Sequence, residues 1–113
     1  MANAMVLLDE AGPLSVSAQF DSEVDGPVVF VLSGTAWTQE APTLIGINLL
    51  LDGESLGSAA MCFANLNANH QAMRTTFIPY DNLTIGPHTI EVVPAYSNTV
   101  TDFNDYFQVT MIY

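Results

Sequence analysis

The amino-acid sequence predicts an all-β fold of about eight short antiparallel strands, in a sandwich or a barrel. Three observations lead there. No stretch of about 11 or more residues carries the 3.6-residue apolar period of a helix, whereas period-two alternation recurs along the chain. Turn-forming residues punctuate it about every 8 to 14 residues. The 113 residues, half of them apolar, suffice for one hydrophobic core and not two, so residues 1–113 are read as a single domain without a linker or an internal repeat.

Each element follows from its residues. Leu14, Val16, Ala18 and Phe20 alternate with Ser15, Ser17 and Gln19, the pattern of a half-buried strand. Asp21 to Pro27 is turn chemistry. Val28 to Leu32 is a β-branched and aromatic run suited to a strand covered on both faces. Ser33-Gly34 ends or bulges it, and Trp37 is read as a packing residue rather than a stacking platform. Gln39 to Thr43 contains Pro42 and is a loop. Ile45, Ile47, Leu49 and Leu51 share one face of the next strand, with Gly46, Asn48 and Leu50 on the other. Asp52-Gly53 tolerates positive φ and closes a hairpin whose return strand is Ser55 to Phe63. Asn65 to Gln71 is a polar loop. Met73, Thr75 and Phe77 begin a strand that Pro79 closes, and Asp81 to Pro87 is a connection. His88 to Val93 alternates again, and Ala95 to Asn104 is a long loop. Tyr106 to Tyr113 is the last strand. Both its faces are largely apolar or aromatic, so it is held in mid-sheet or against a neighbouring subunit.

Charge narrows the function. Twelve acids face one base, Arg74, with no lysine, for a net charge of −11. Such a chain lacks the cations that bind nucleic acid or an anionic membrane. Without lysine, Schiff-base chemistry and the P-loop class are excluded. No run approaches the roughly 18 apolar residues of a spanning helix, so no membrane insertion is expected. The N-terminus has no basic region and its apolar run stops at Leu8, which argues against a secretory signal. Only 12% of residues are charged, against roughly 25% in soluble domains. A monomer of this mass exposes on the order of 6,000 Å², so apolar surface is left over, which points to an oligomer.

Reactive constellations are sparse, and no enzyme or obligatory cofactor is expected. Cys62 sits in an apolar strand without the electropositive neighbour that a reactive thiolate needs. Asp21, Asp25, Asp52, Asp81, Asp102 and Asp105 all fall in turns and loops rather than as a catalytic pair. Asp21-x-Glu23-x-Asp25-Gly26 mimics half of an EF-hand loop, but the twelfth position would be Leu32, which cannot ligate. Asp102, Asn104 and Asp105 form a second oxygen cluster, the candidate calcium site. His70, His88 and Cys62 lack zinc-ligand spacing; His70 is read as a loop residue and His88 as a turn residue. Two polar loops, with Asn65, Asn67, Asn69 and His70 in one and Tyr96 and Asn98 in the other, offer the amide and aromatic groups of a sugar or other ligand site.

The closing run Tyr106-Phe107-Gln108-Val109-Thr110-Met111-Ile112-Tyr113 and the strand entry Gly86-Pro87-His88-Thr89-Ile90 resemble the jelly-roll superfamily of tumour necrosis factor and the complement globular heads. That resemblance implies a jelly-roll sandwich that trimerises through aromatic and aliphatic strand residues. Met73, Phe77, Tyr106, Gln108, Thr110 and Ile112 are the expected lining of a three-fold axis. The resulting expectation is a non-enzymatic structural or attachment module, such as a phage, virion or fibre-end surface protein. The alternative is a carbohydrate-binding lectin of the same fold; a glycan or a protein is the expected partner.

Overall fold

A computed structural model describes residues 2–113. It contains nine strands: β1 (Ala4–Ala11), β2 (Val16–Ser22), β3 (Gly26–Ala36), β4 (Thr43–Leu51), β5 (Glu54–Ala64), β6 (Gln71–Ala72), β7 (Thr76–Leu83), β8 (Gly86–Pro94) and β9 (Tyr106–Ile112). One sheet runs β1-β9-β3, with β6 and β7 both pairing the far side of β3; the other runs β2-β8-β4-β5. Every pairing is antiparallel. Successive strands from β1 to β4 alternate between the sheets, and β8 and β9 return between earlier strands. That interleaving is the jelly-roll sandwich. Among the described residues no helix is long and apolar enough to cross a membrane.

Strand periodicity builds the core between the sheets. Phe30 and Leu32 of β3, Ile45, Ile47 and Leu49 of β4, Ile90 and Val92 of β8, and Phe107, Val109 and Met111 of β9 point inward and are buried. The β4–β5 hairpin forms as read, with Asp52 at φ 52° and Gly53 at φ 87° making its turn.

Four sequence readings are corrected. β1 was not foreseen as a strand. A bulge between Val6 and Leu8 turns both Leu7 and Leu8 inward, which erases the alternation that marks a strand. β7 runs through Pro79 instead of ending there. It is an edge strand, so the missing N–H of proline costs no ladder bond on its open side. The expected start of that strand, Met73 to Thr75, is instead an irregular link between β6 and β7. His88 is not a turn residue; it is the third residue of β8 and its side chain is 9% exposed.

The outer face of the β1-β9-β3-β7 sheet is free of charge over two cross-strand rows. Ala4, Ile112, Val29 and Pro79 align in one row, and Val6, Thr110, Val31 and Phe77 in the next. All eight are half-buried or exposed, Phe77 by 63%. Asp9, Gln108 and Ser33 form the polar border in the following row.

Candidate functional site

Four connections meet at one end of the sandwich: residues 12–15, 37–42, 65–70 and 95–105. Threonine, asparagine and aspartate side chains tie them together. The Leu14 N–H donates to Thr101 Oγ1 at 2.8 Å, the Ala41 N–H to Asn67 Oδ1 at 2.7 Å, and Asn98 Nδ2 to Thr43 Oγ1 at 2.7 Å. Trp37 and Val100 exchange backbone bonds of 2.9 and 2.8 Å. Loops cannot supply a ladder to each other, so short polar side chains satisfy their backbone groups.

The centre of this end is the Asp105 carboxylate, 0% exposed. Burying a carboxylate is costly unless its oxygens are bonded. Here Oδ1 accepts from Thr35 Oγ1 at 2.8 Å and from His70 Nδ1 at 2.7 Å, and Oδ2 accepts from the Asp102 N–H at 2.9 Å. His70 Nε2 lies 3.7 Å from Asp102 Oδ2. The bond to Asp105, helped by the charges of Asp105 and Asp102 and opposed by partial desolvation, raises the His70 pKa above its ordinary 6.5. The imidazole also lies against the Trp37 ring, with centroids 5.7 Å apart.

Ligand atoms of His70, Asp102 and Asp105 fall within 4.8 Å of one another. A nitrogen with two carboxylates suits a borderline ion such as zinc better than calcium, which takes oxygen ligands. The oxygens of Asp105 are already engaged by three donors, so a metal would compete with His70 for them. Asn104 is exposed and donates its backbone N–H to Asp102 Oδ1 at 2.8 Å, the bond of an aspartate turn. The Asp25 carboxylate likewise accepts a backbone bond, from Ile85 at 2.9 Å.

The other residues singled out in the sequence divide between framework and open surface. Asn67 and Asn98 brace neighbouring loops. Tyr96 donates its hydroxyl to Met61 Sδ at 3.0 Å. Asn65 and Asn69 are exposed with no side-chain bond to another described residue. Phe77, Tyr106, Gln108, Thr110 and Ile112 share the outer face of the β1-β9-β3-β7 sheet. Met73 does not belong to that surface; it is 3% exposed, inside the core. Three features escaped the sequence reading: the Thr35 bond that holds Asp105, the pairing of His88 with Asp52 at the opposite end, and the exposed ring of Phe103. Single threonines and a lone loop phenylalanine carry no spacing signal.

No protein-family model matches the chain, and no curated protein matches it. Solved structures share its fold. The chain is similar to part of dimeric latent PorU from Porphyromonas gingivalis, with a TM-score of 0.63 at 9% identity over 98% of this chain and 12% of that one. It is similar to part of a β-glucosidase from Paenibacillus barengoltzii, with a TM-score of 0.56 at 15% identity over 100% of this chain and 10% of that one. It is also similar to a family 35 carbohydrate-binding module from Clostridium thermocellum, with a TM-score of 0.53 at 8% identity over 100% of this chain and 90% of that module. In the first two cases the chain corresponds to a small part of a much longer protein. At these identities the likeness is one of fold.

Proposed function

We propose that this chain is a non-enzymatic attachment module that works as a homotrimer, joined through the outer face of its β1-β9-β3-β7 sheet. The observation that carries this reading is the pair of uncharged rows on that face. A chain with twelve acids and one base keeps all of its charge off eight neighbouring positions, where exposed apolar patches ordinarily mark contact surfaces. The tumour necrosis factor resemblance implies the same oligomer and the same use of late-strand residues. Three copies would present three loop ends together, which suits a fibre end or a virion surface and multiplies weak contacts. Val31→Glu or Thr110→Lys places a charge in the middle of the face while leaving the core untouched. Light scattering of folded variants tests the reading: loss of the trimer supports it, and unchanged mass overturns it.

A second reading, carbohydrate binding at the loop end, is favoured by Phe103. Its ring is 83% exposed and stands between Asp102 and Asn104, so a flat apolar surface adjoins hydrogen-bonding groups. The family 35 carbohydrate-binding module of the same fold lends support. Saturable binding on a glycan array, lost in Phe103→Ala and Asn69→Ala, is the expected result for this reading; an array without a hit removes it.

A further inference from the structure

Along the edge strand β5 lies a groove of about 300 Å³, lined by Leu44, Ala59, Met61, Cys62, Phe63, Arg74 and Thr76. Its lining includes none of the residues that surround Asp105 and none of the eight positions of the two uncharged rows. We infer that this groove is a binding site for a small carboxylate with an apolar body, whose charged end is held by Arg74.

Charge makes the first part of the argument. Arg74 is the one arginine of the chain and there is no lysine. With twelve acids available, its guanidinium makes no ion pair or side-chain hydrogen bond with any described residue, and the groove walls contain no acid. A planar fork of five N–H donors is therefore open to a ligand. Such a fork pairs with a carboxylate or a phosphate through two parallel bonds, and a chain of net charge −11 repels the singly charged carboxylate less.

Position makes the second part. The Arg74 backbone is fixed on both sides: its N–H donates to the Met61 carbonyl at 2.9 Å, and its carbonyl accepts from Thr76 Oγ1 at 2.9 Å. The backbone that carries the cation is thus fixed beside the groove before a ligand arrives. Apart from the Cys62 thiol and the Thr76 hydroxyl, which is turned to the Arg74 carbonyl, the remaining side chains of the walls are aliphatic, aromatic and thioether, so the body of the ligand is apolar. A volume near the lower end of small-molecule sites, about 300–1,000 Å³, limits it to a short aliphatic chain or a single ring.

Cys62 lines the same groove and its thiol serves as a reporter. Octanoate is the probe, with 1-octanol as its uncharged counterpart. Octanoate is expected to bind saturably and to slow alkylation of Cys62 by iodoacetamide. Its affinity is expected to exceed that of octanol by about tenfold or more, the worth of a charge-assisted bond. Arg74→Gln should abolish that preference, and Arg74→Lys should restore part of it. Equal binding of octanoate and octanol by the natural chain would overturn the inference. So would an unprotected Cys62, which reads the natural chain and needs no variant to fold.

Discussion

His88 Nδ1 lies 2.6 Å from Asp52 Oδ2, and its Nε2 lies 2.7 Å from the Thr84 carbonyl oxygen. Both ring nitrogens thus face acceptors, so the doubly protonated ring satisfies both. The ring also lies on Phe20, with centroids 5.5 Å apart. This cluster pins the β4–β5 hairpin turn to β8, because Asp52 Oδ1 also accepts from the Thr89 N–H at 2.8 Å.

The pH dependence of stability follows from that pair. The Asp52 bond, then the Thr84 carbonyl, raise the His88 pKa above its ordinary 6.5 against partial desolvation. Its contribution is complete below about pH 6.5 and is lost as pH rises through the raised folded value. For Asp52, desolvation works upward, but the His88 bond and the Thr89 N–H outweigh it and hold the carboxyl below its ordinary 3.8. That contribution is complete above about pH 3.9 and is lost as pH falls through the lowered value. The difference in melting temperature between the natural chain and His88→Gln is therefore expected to be widest between about pH 4 and 6.5. Because Asp52 is half exposed, the pair is worth only about 1 kcal/mol after solvent screening. A difference independent of pH would refute this.

Asp105 holds the loop end. Asp105→Ala leaves the Thr35 hydroxyl, the Asp102 N–H and His70 without their acceptor. A loss of about 2–4 kcal/mol in urea unfolding is expected, at the scale of a broken buried charge network. In a folded Asp105→Asn chain the His70 pKa, followed by NMR, should fall toward 6.5. An unmoved His70 titration would contradict the bond.

Gly12 admits no side chain. A Cβ there would lie 2.6 Å from the Asp102 carbonyl oxygen and 3.2 Å from the Phe107 ring. The first obstacle is backbone and cannot swing aside, so Gly12→Ala displaces the 95–105 loop. The expected loss is about 1–3 kcal/mol, read by denaturant titration; an unchanged midpoint would show that the loop gives way freely.

Trypsin has one site, after Arg74. Although that residue is exposed and outside a strand, the backbone on both of its sides is hydrogen-bonded, and Met73 N–H donates to the Gly34 carbonyl at 2.8 Å. Cleavage is therefore expected to track global unfolding and to be slow for the native chain. Rapid nicking under native conditions would mean that this link opens locally.

Much of the sandwich was legible in the sequence because inward residues recur every second position. The β4–β5 hairpin is the clearest case: alternation on β4 and the Asp52-Gly53 turn define it together. β1 was hidden because its bulge breaks the alternation, and β7 because a proline reads as a stop unless the strand is known to be an edge. The site was less legible. Loop polarity marked Asn65 to His70 and the 95–105 connection as a candidate region, but not that Asp105 is buried beneath them. Asn67 and Asn98 look like ligand groups in sequence, yet their partners are Ala41 and Thr43, 26 and 55 positions away. Met73 shows the opposite limit: an apolar residue in a link was expected at an interface and lies in the core.

Sedimentation equilibrium of the intact chain at micromolar concentration weighs the two bare rows on the first sheet most directly. A particle of three times 12.2 kDa, falling to the single-chain mass when Val31 becomes glutamate, is the expected result. A natural chain that sediments as one copy across that range would contradict it.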